Sequence, residues 1–155
     1  MSAADATANP QKRQSRGSRR SSRELALQAL YHWLLNRDDV RTLAAQAAEK
    51  KEFGRADAEY FHTLLQGVVG DVVQLETALQ PFLDRPIEQL SPIERGLLLI
   101  AAYELTAALD VPYRVAINEA VELAKSYGGT DGYKYVNGVL DKLAAQVRAH
   151  ETKKT

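Results

Sequence analysis

Six cations crowd one short stretch of the chain, QKRQSRGSRRSSRELALQALYHW, from Gln11 to Trp33: Lys12, Arg13, Arg16, Arg19, Arg20 and Arg23. A guanidinium presents a rigid fork of N–H donors that matches phosphate oxygens, so the chemistry offered is anion recognition. Ser21 and Glu24 have the spacing of a capping box, and Leu25, Leu27, Leu30, Tyr31 and Leu34 follow at helical intervals. Arg19, Arg20 and Arg23 therefore stand at a helix start, which is already partly positive, and they weaken that helix in isolation. The arrangement turns favourable when an anion arrives, because free backbone N–H groups and guanidinium forks then converge on one phosphate. Tyr31 follows Arg23 by eight residues, about two turns on and roughly the same face, where a nucleobase can stack. Near the other end, YKYVNG offers Tyr133, Lys134 and Tyr135, again aromatic and basic together. A solvated basic tail plus core tyrosines is the alternative reading of the same residues.

Other chemistry is poorly supplied. The three histidines, His32, His62 and His150, have no metal-binding spacing, and cysteine is absent. There is no phosphate loop, nucleophile elbow or dinucleotide fingerprint. YGGTDGY follows a helix instead of a strand and reads as a helix stop. Carboxylate pairs such as Asp57/Glu59 and Glu119/Glu122 suit solvated helix faces. No catalytic residue, metal or cofactor is expected. Glu104 falls on or beside an apolar stripe, where a carboxylate costs energy unless it accepts hydrogen bonds, so it is read as a brace for a neighbouring helix start or loop. Asn137-Gly138 lies inside the last helix, where glycine costs about 1 kcal/mol relative to alanine. Close approach of another helix is the favoured explanation, and a ligand meeting the backbone or Asn137 is the other.

The elements that must position these residues are all helical. One helix starts near Ser21 and a second covers Val40 to about Lys51. A long helix follows Asp57, with a seam of Phe61, Leu65, Val68, Val72, Leu75, Leu79 and Phe82, and Pro81 ends or kinks it. SPIE is the clearest helix start in the chain: Ser91 caps, Pro92 suits the first turn and Glu94 closes the box. Further helices run from about Ile117 to Tyr127 and on to about Arg148, with DVPYR as a connector and Gly128-Gly129 as a stop. No segment alternates like a strand. The expected fold is all-α, two small three-helix bundles sharing a core. Residues 1–18 read as a disordered basic extension, 19–150 as one helical domain and 151–155 as a frayed tail.

The net charge of zero conceals an asymmetry: residues 1–23 carry +5 and the remainder −5. A basic arm suits a polyanion and an acidic body suits a basic protein partner. With no membrane-length apolar run and no signal-peptide core, a cytoplasmic protein fits best.

RRSSRELALQALYHW, IERGLLLIAAYEL, DVPYRVAINEAVELAKSYGG and YKYVNGVLDKL resemble the NusB transcription antitermination family, over nearly all of residues 19–148. The resemblance implies an all-helical fold of two three-helix bundles and a non-enzymatic bacterial protein. It implies pairing with NusE, a protein that also serves in the small ribosomal subunit. The pair would bind boxA, a single-stranded RNA element of ribosomal RNA transcripts, and join RNA polymerase. Carried over by position, RNA contacts fall on Arg19, Arg20, Arg23 and Tyr31, with a second patch at Asp131, Lys134 and Tyr135. The partner surface takes in Glu88, Glu94 and Arg95. Ser21 and Ser22 interrupt the arginine cluster, and Arg13 and Arg16 are expected to compensate from the leader. Asp131 would cap the last helix and limit RNA affinity until the partner binds. Two other readings compete: a helical scaffold with a solubility or dimerisation arm, and the helical domain of the kind fused to RNA cytosine methyltransferases. A homodimer is compatible with each.

Overall fold

The computed structural model describes residues 17–127, 129 and 131–153. Those residues form helices α1 (Arg19–Asn36), α2 (Val40–Ala48), α3 (Ala58–Gly70), α4 (Val72–Leu79), α5 (Pro92–Thr106), α6 (Tyr113–Tyr127) and α7 (Gly132–Val147). A single turn, α8 (Ala149–Thr152), follows, and short 3-10 turns occupy Lys51–Arg55, Gln80–Phe82 and Ile87–Gln89. The all-α expectation holds. Helices α1–α3 form one group and α5–α7 the other, and α5 packs against α1, α3, α4, α6 and α7. It is the shared wall, which explains why Gly96–Ala102, Glu104 and Leu105 are all buried.

Local chemistry sets most boundaries. Asp39, Asp57 and Ser91 each accept a backbone N–H three residues on, capping α2, α3 and α5. The long helix expected after Asp57 breaks ten residues before Pro81, at Asp71, although its apolar seam continues across the break. Gly67 is required there by its neighbour: a Cβ would collide with the Tyr103 ring of α5.

Four expectations are corrected. The cap of α1 is Ser18, whose hydroxyl accepts the Ser21 N–H at 3.1 Å, so Ser21 lies inside the helix instead of capping it. Gly17 and Ser18, assigned to the extension, belong to the fold: Ser18 donates to the Arg55 carbonyl at 2.8 Å and accepts from Asp57 N–H. Helix α6 begins at Tyr113, not near Ile117, because the Tyr113 N–H finds a distant acceptor in Glu151 at 2.9 Å. That bond, with the Glu151–Arg148 pair, also orders Glu151 and Thr152, the first residues of the expected frayed tail. The expected disorder of residues 1–16 lies outside the described residues.

Candidate nucleic-acid interface

The three arginines at the start of α1 have three different environments. Arg23 points inward, its side chain 6% exposed, and bonds both oxygens of Glu104 at 2.9 and 3.1 Å. Glu104 also accepts the Tyr60 hydroxyl and is fully buried. Burial, reinforced by that carboxylate, pushes the Tyr60 hydroxyl far above its ordinary range. Glu104 is thus the brace expected from sequence, and it holds the start of α1. Arg23, expected at the RNA, is corrected by the same contacts: its guanidinium is committed to a buried ion pair.

Arg20 is the open one. Its side chain is 67% exposed and forks onto Glu119 of α6 at 2.8 and 2.9 Å. The hydrogen bonds from Arg20 hold the Glu119 carboxyl below its usual range. Two bonds leave donors of the five-donor fork facing water. Arg19 lies over the Tyr60 ring, 4.0 Å from its centroid, and 3.5 Å from Asp110. Arg16 lies outside the described residues.

Tyr31 is half-buried and meets His32 edge-on at 5.5 Å. It shares a face of α1 with Glu24 and Gln28, both bonded to the Tyr127 hydroxyl, and not with the inward-facing Arg23. The pairs Arg20–Glu119 and Gln28–Tyr127 advance together, so α1 and α6 run parallel here. The end of α6 then leads into Asp131 and Lys134. One strip of α1 therefore carries Arg20, Gln28 and Tyr31 alongside α6.

Within the second patch, Asp131 holds the capping position of α7 without a side-chain cap bond and instead sits 3.5 Å from Lys134. The expected capping role is corrected. Tyr135 is turned toward Asp84, donating to its carboxylate at 2.9 Å and accepting its N–H at 3.2 Å. Arg85 and Tyr135 together hold the Asp84 carboxyl at about 2. Tyr135 is anchored to the 84–85 loop, away from the strip.

Of the residues expected at the partner, Glu88 is exposed on the Ile87–Gln89 turn and Glu94 is half-buried in the first turn of α5. Arg95 pairs with Glu76 of α4 at 2.7 Å, so it braces two helices. Sequence reasoning missed Lys50, which reaches Gln28 on the strip, and Arg55, whose carbonyl receives Ser18. The cations of KKEFGR were the available signal. It also missed Arg148, which donates to the carbonyls of Glu104, Leu105, Ala108 and Val111. Among the described residues, no group of three or more His, Asp or Glu is placed to hold a metal. No described helix is long and apolar enough to cross a membrane.

Fold and strip define a class: an all-α double bundle whose first helix opens on an arginine cluster, with Arg20 exposed on the face that carries Tyr31. The chain belongs to the NusB family, whose model matches residues 20–145. It is 57% identical over 136 residues to the transcription antitermination protein NusB of Cupriavidus pinatubonensis (strain JMP 134 / LMG 1197), covering 88% of this chain and 81% of the relative. To the NusB of Paraburkholderia xenovorans (strain LB400) it is 58% identical over 137 residues, covering 88% and 95%. A solved T. maritima NusB superposes with a TM-score of 0.77 at 26% identity, covering 89% of this chain and 99% of that one. A chain from a crystal structure of antitermination factors NusB and NusE with double-stranded RNA superposes at 0.70 and 25% identity, covering 81% and 94%.

Proposed function

We propose that this chain is a transcription antitermination factor that binds single-stranded boxA-type RNA together with NusE and joins RNA polymerase. It acts as an adaptor without catalysis, in the cytoplasm. The observation that carries the reading is family membership across the folded domain, with a structural relative that holds NusE and RNA. The strip supports it physically. Arg20, Lys134 and Lys50 are exposed cations, whereas Glu88 and the acidic body suit a basic protein. The methyltransferase-domain alternative has no observation in its favour.

The test is a fluorescence-anisotropy titration of boxA RNA against a shuffled RNA, with and without NusE, at two salt concentrations. Preference for the true sequence, tightened by NusE, is expected. Equal weak binding with no effect of NusE overturns the reading. Asp131→Asn removes the carboxylate beside Lys134 and one source of phosphate repulsion. It is expected to tighten RNA binding with an unchanged melting curve, and an unchanged dissociation constant refutes that role.

A further inference from the structure

Gly138 has no structural justification inside its own fold. It lies in the interior of α7, where glycine is unfavourable, yet a Cβ built on it meets no atom within 4 Å. The close helix approach expected from sequence is therefore overturned: nothing packs there. The open space is one side of a groove of about 400 Å³ between α7 and the Gln80–Phe82 turn. Phe82, Leu83 and Val139 give it an apolar floor. Lys134, Gly138 and Lys142 follow one another at intervals of four along α7, so cation, gap and cation share one ridge. Both lysines are exposed, and Asn137 stands exposed beside the gap. Tyr135, fixed by Asp84, closes one end.

We propose that this groove is a nucleotide-binding slot that continues the RNA path beyond Lys134. A base lies on the apolar floor over Gly138, and the flanking phosphates pair with Lys134 and Lys142. The inference rests on the RNA-binding reading above and extends it to residues outside the strip. An apolar floor between cations matches a nucleotide, which is apolar on its base faces and anionic on either side. The carboxylates beside the groove are paired, Asp84 with Arg85 at 2.8 Å and Asp131 with Lys134 at 3.5 Å, so neither faces the strand alone. A side chain at position 138 would occupy the place of the base, which gives the helix glycine a purpose that packing does not.

The experiment uses the full chain with NusE and boxA RNA. Gly138→Leu projects into the groove, Lys142→Gln removes one rim charge, and Gly70→Ala, another helix glycine with open space around it, is the control. Gly138→Ala is included because it fits the fold without contact and should raise the melting temperature. Expected results are an RNA affinity about tenfold weaker for Gly138→Leu and a salt slope smaller by about 0.7 for Lys142→Gln. Gly70→Ala should bind as the parent does. If the parent discriminates boxA and both groove variants match it, the groove proposal falls and the antitermination reading stands. If the parent fails to discriminate, both fall. NusE affinity measured without RNA is the third arm: a loss there in Gly138→Leu assigns the groove to the protein partner and overturns the proposal.

Discussion

Arg20 and Arg23 are three residues apart and carry the same group, but burial separates their roles. Removing one partner of the Arg23–Glu104 pair leaves a charge with no water to compensate it, a loss of about 3–5 kcal/mol. Arg23→Met should therefore lower the denaturation midpoint sharply. Arg20→Ala should leave the midpoint nearly in place and weaken RNA binding. The reverse pattern in a urea melt and a binding titration would exchange the two roles. Asp84 gives a residue-scale test of pH. Its carboxyl sits at about 2 because Arg85 and the Tyr135 hydroxyl both favour the charged form. A depressed acid stabilises the fold above its unfolded value of about 3.9, and that contribution fades as pH falls through the folded value. Carbon-detected NMR should place the Asp84 titration near 2 in the parent and higher in Tyr135→Phe. An unchanged midpoint in the variant would remove Tyr135 as a cause.

Helix glycines show how element-scale context decides the sign of a substitution. Ordinarily Gly→Ala inside a helix is worth roughly 0.5–1 kcal/mol of stability. Gly138→Ala should gain about that, and Gly67→Ala should lose about 1–3 kcal/mol because the new methyl displaces the Tyr103 ring. Thermal melts of the two variants should move in opposite directions, and a stabilised Gly67→Ala would show that the ring relocates freely. Helix existence was legible in the sequence because caps and apolar periodicity are local signals, as at Ser91-Pro92 and along Phe61–Leu79. What could not be read is where distant groups intervene. The start of α6 depends on Glu151, thirty-eight residues away. The inward turn of Arg23 depends on Glu104, and residue type alone makes all three arginines equivalent. Of the site, the arginine cluster at the start of α1 was legible from charge, but its face was not: spacing paired Tyr31 with Arg23, whereas Arg23 turns inward onto Glu104. The groove at Gly138 was not legible, because an open space has no letter in the sequence.

For the whole molecule, the decisive quantity is the separation of charge between a basic start and a body of −5. The body repels RNA, so binding should be confined to the cationic path and sensitive to salt. Deleting residues 1–16 removes Lys12, Arg13 and Arg16. If all three meet phosphates, the salt slope should shrink by about 2. An unchanged slope would assign recognition wholly to the folded residues. The order in which this molecule can be completed follows from Arg148. Its guanidinium gathers the carbonyls at the end of α5, the helix on which both bundles close. During synthesis the ribosome makes that arginine long after α5 itself. A nascent chain therefore carries its central helix with an open end until Arg148 is made, and a variant truncated just before Arg148 would hold every long helix and no lock on the one they share.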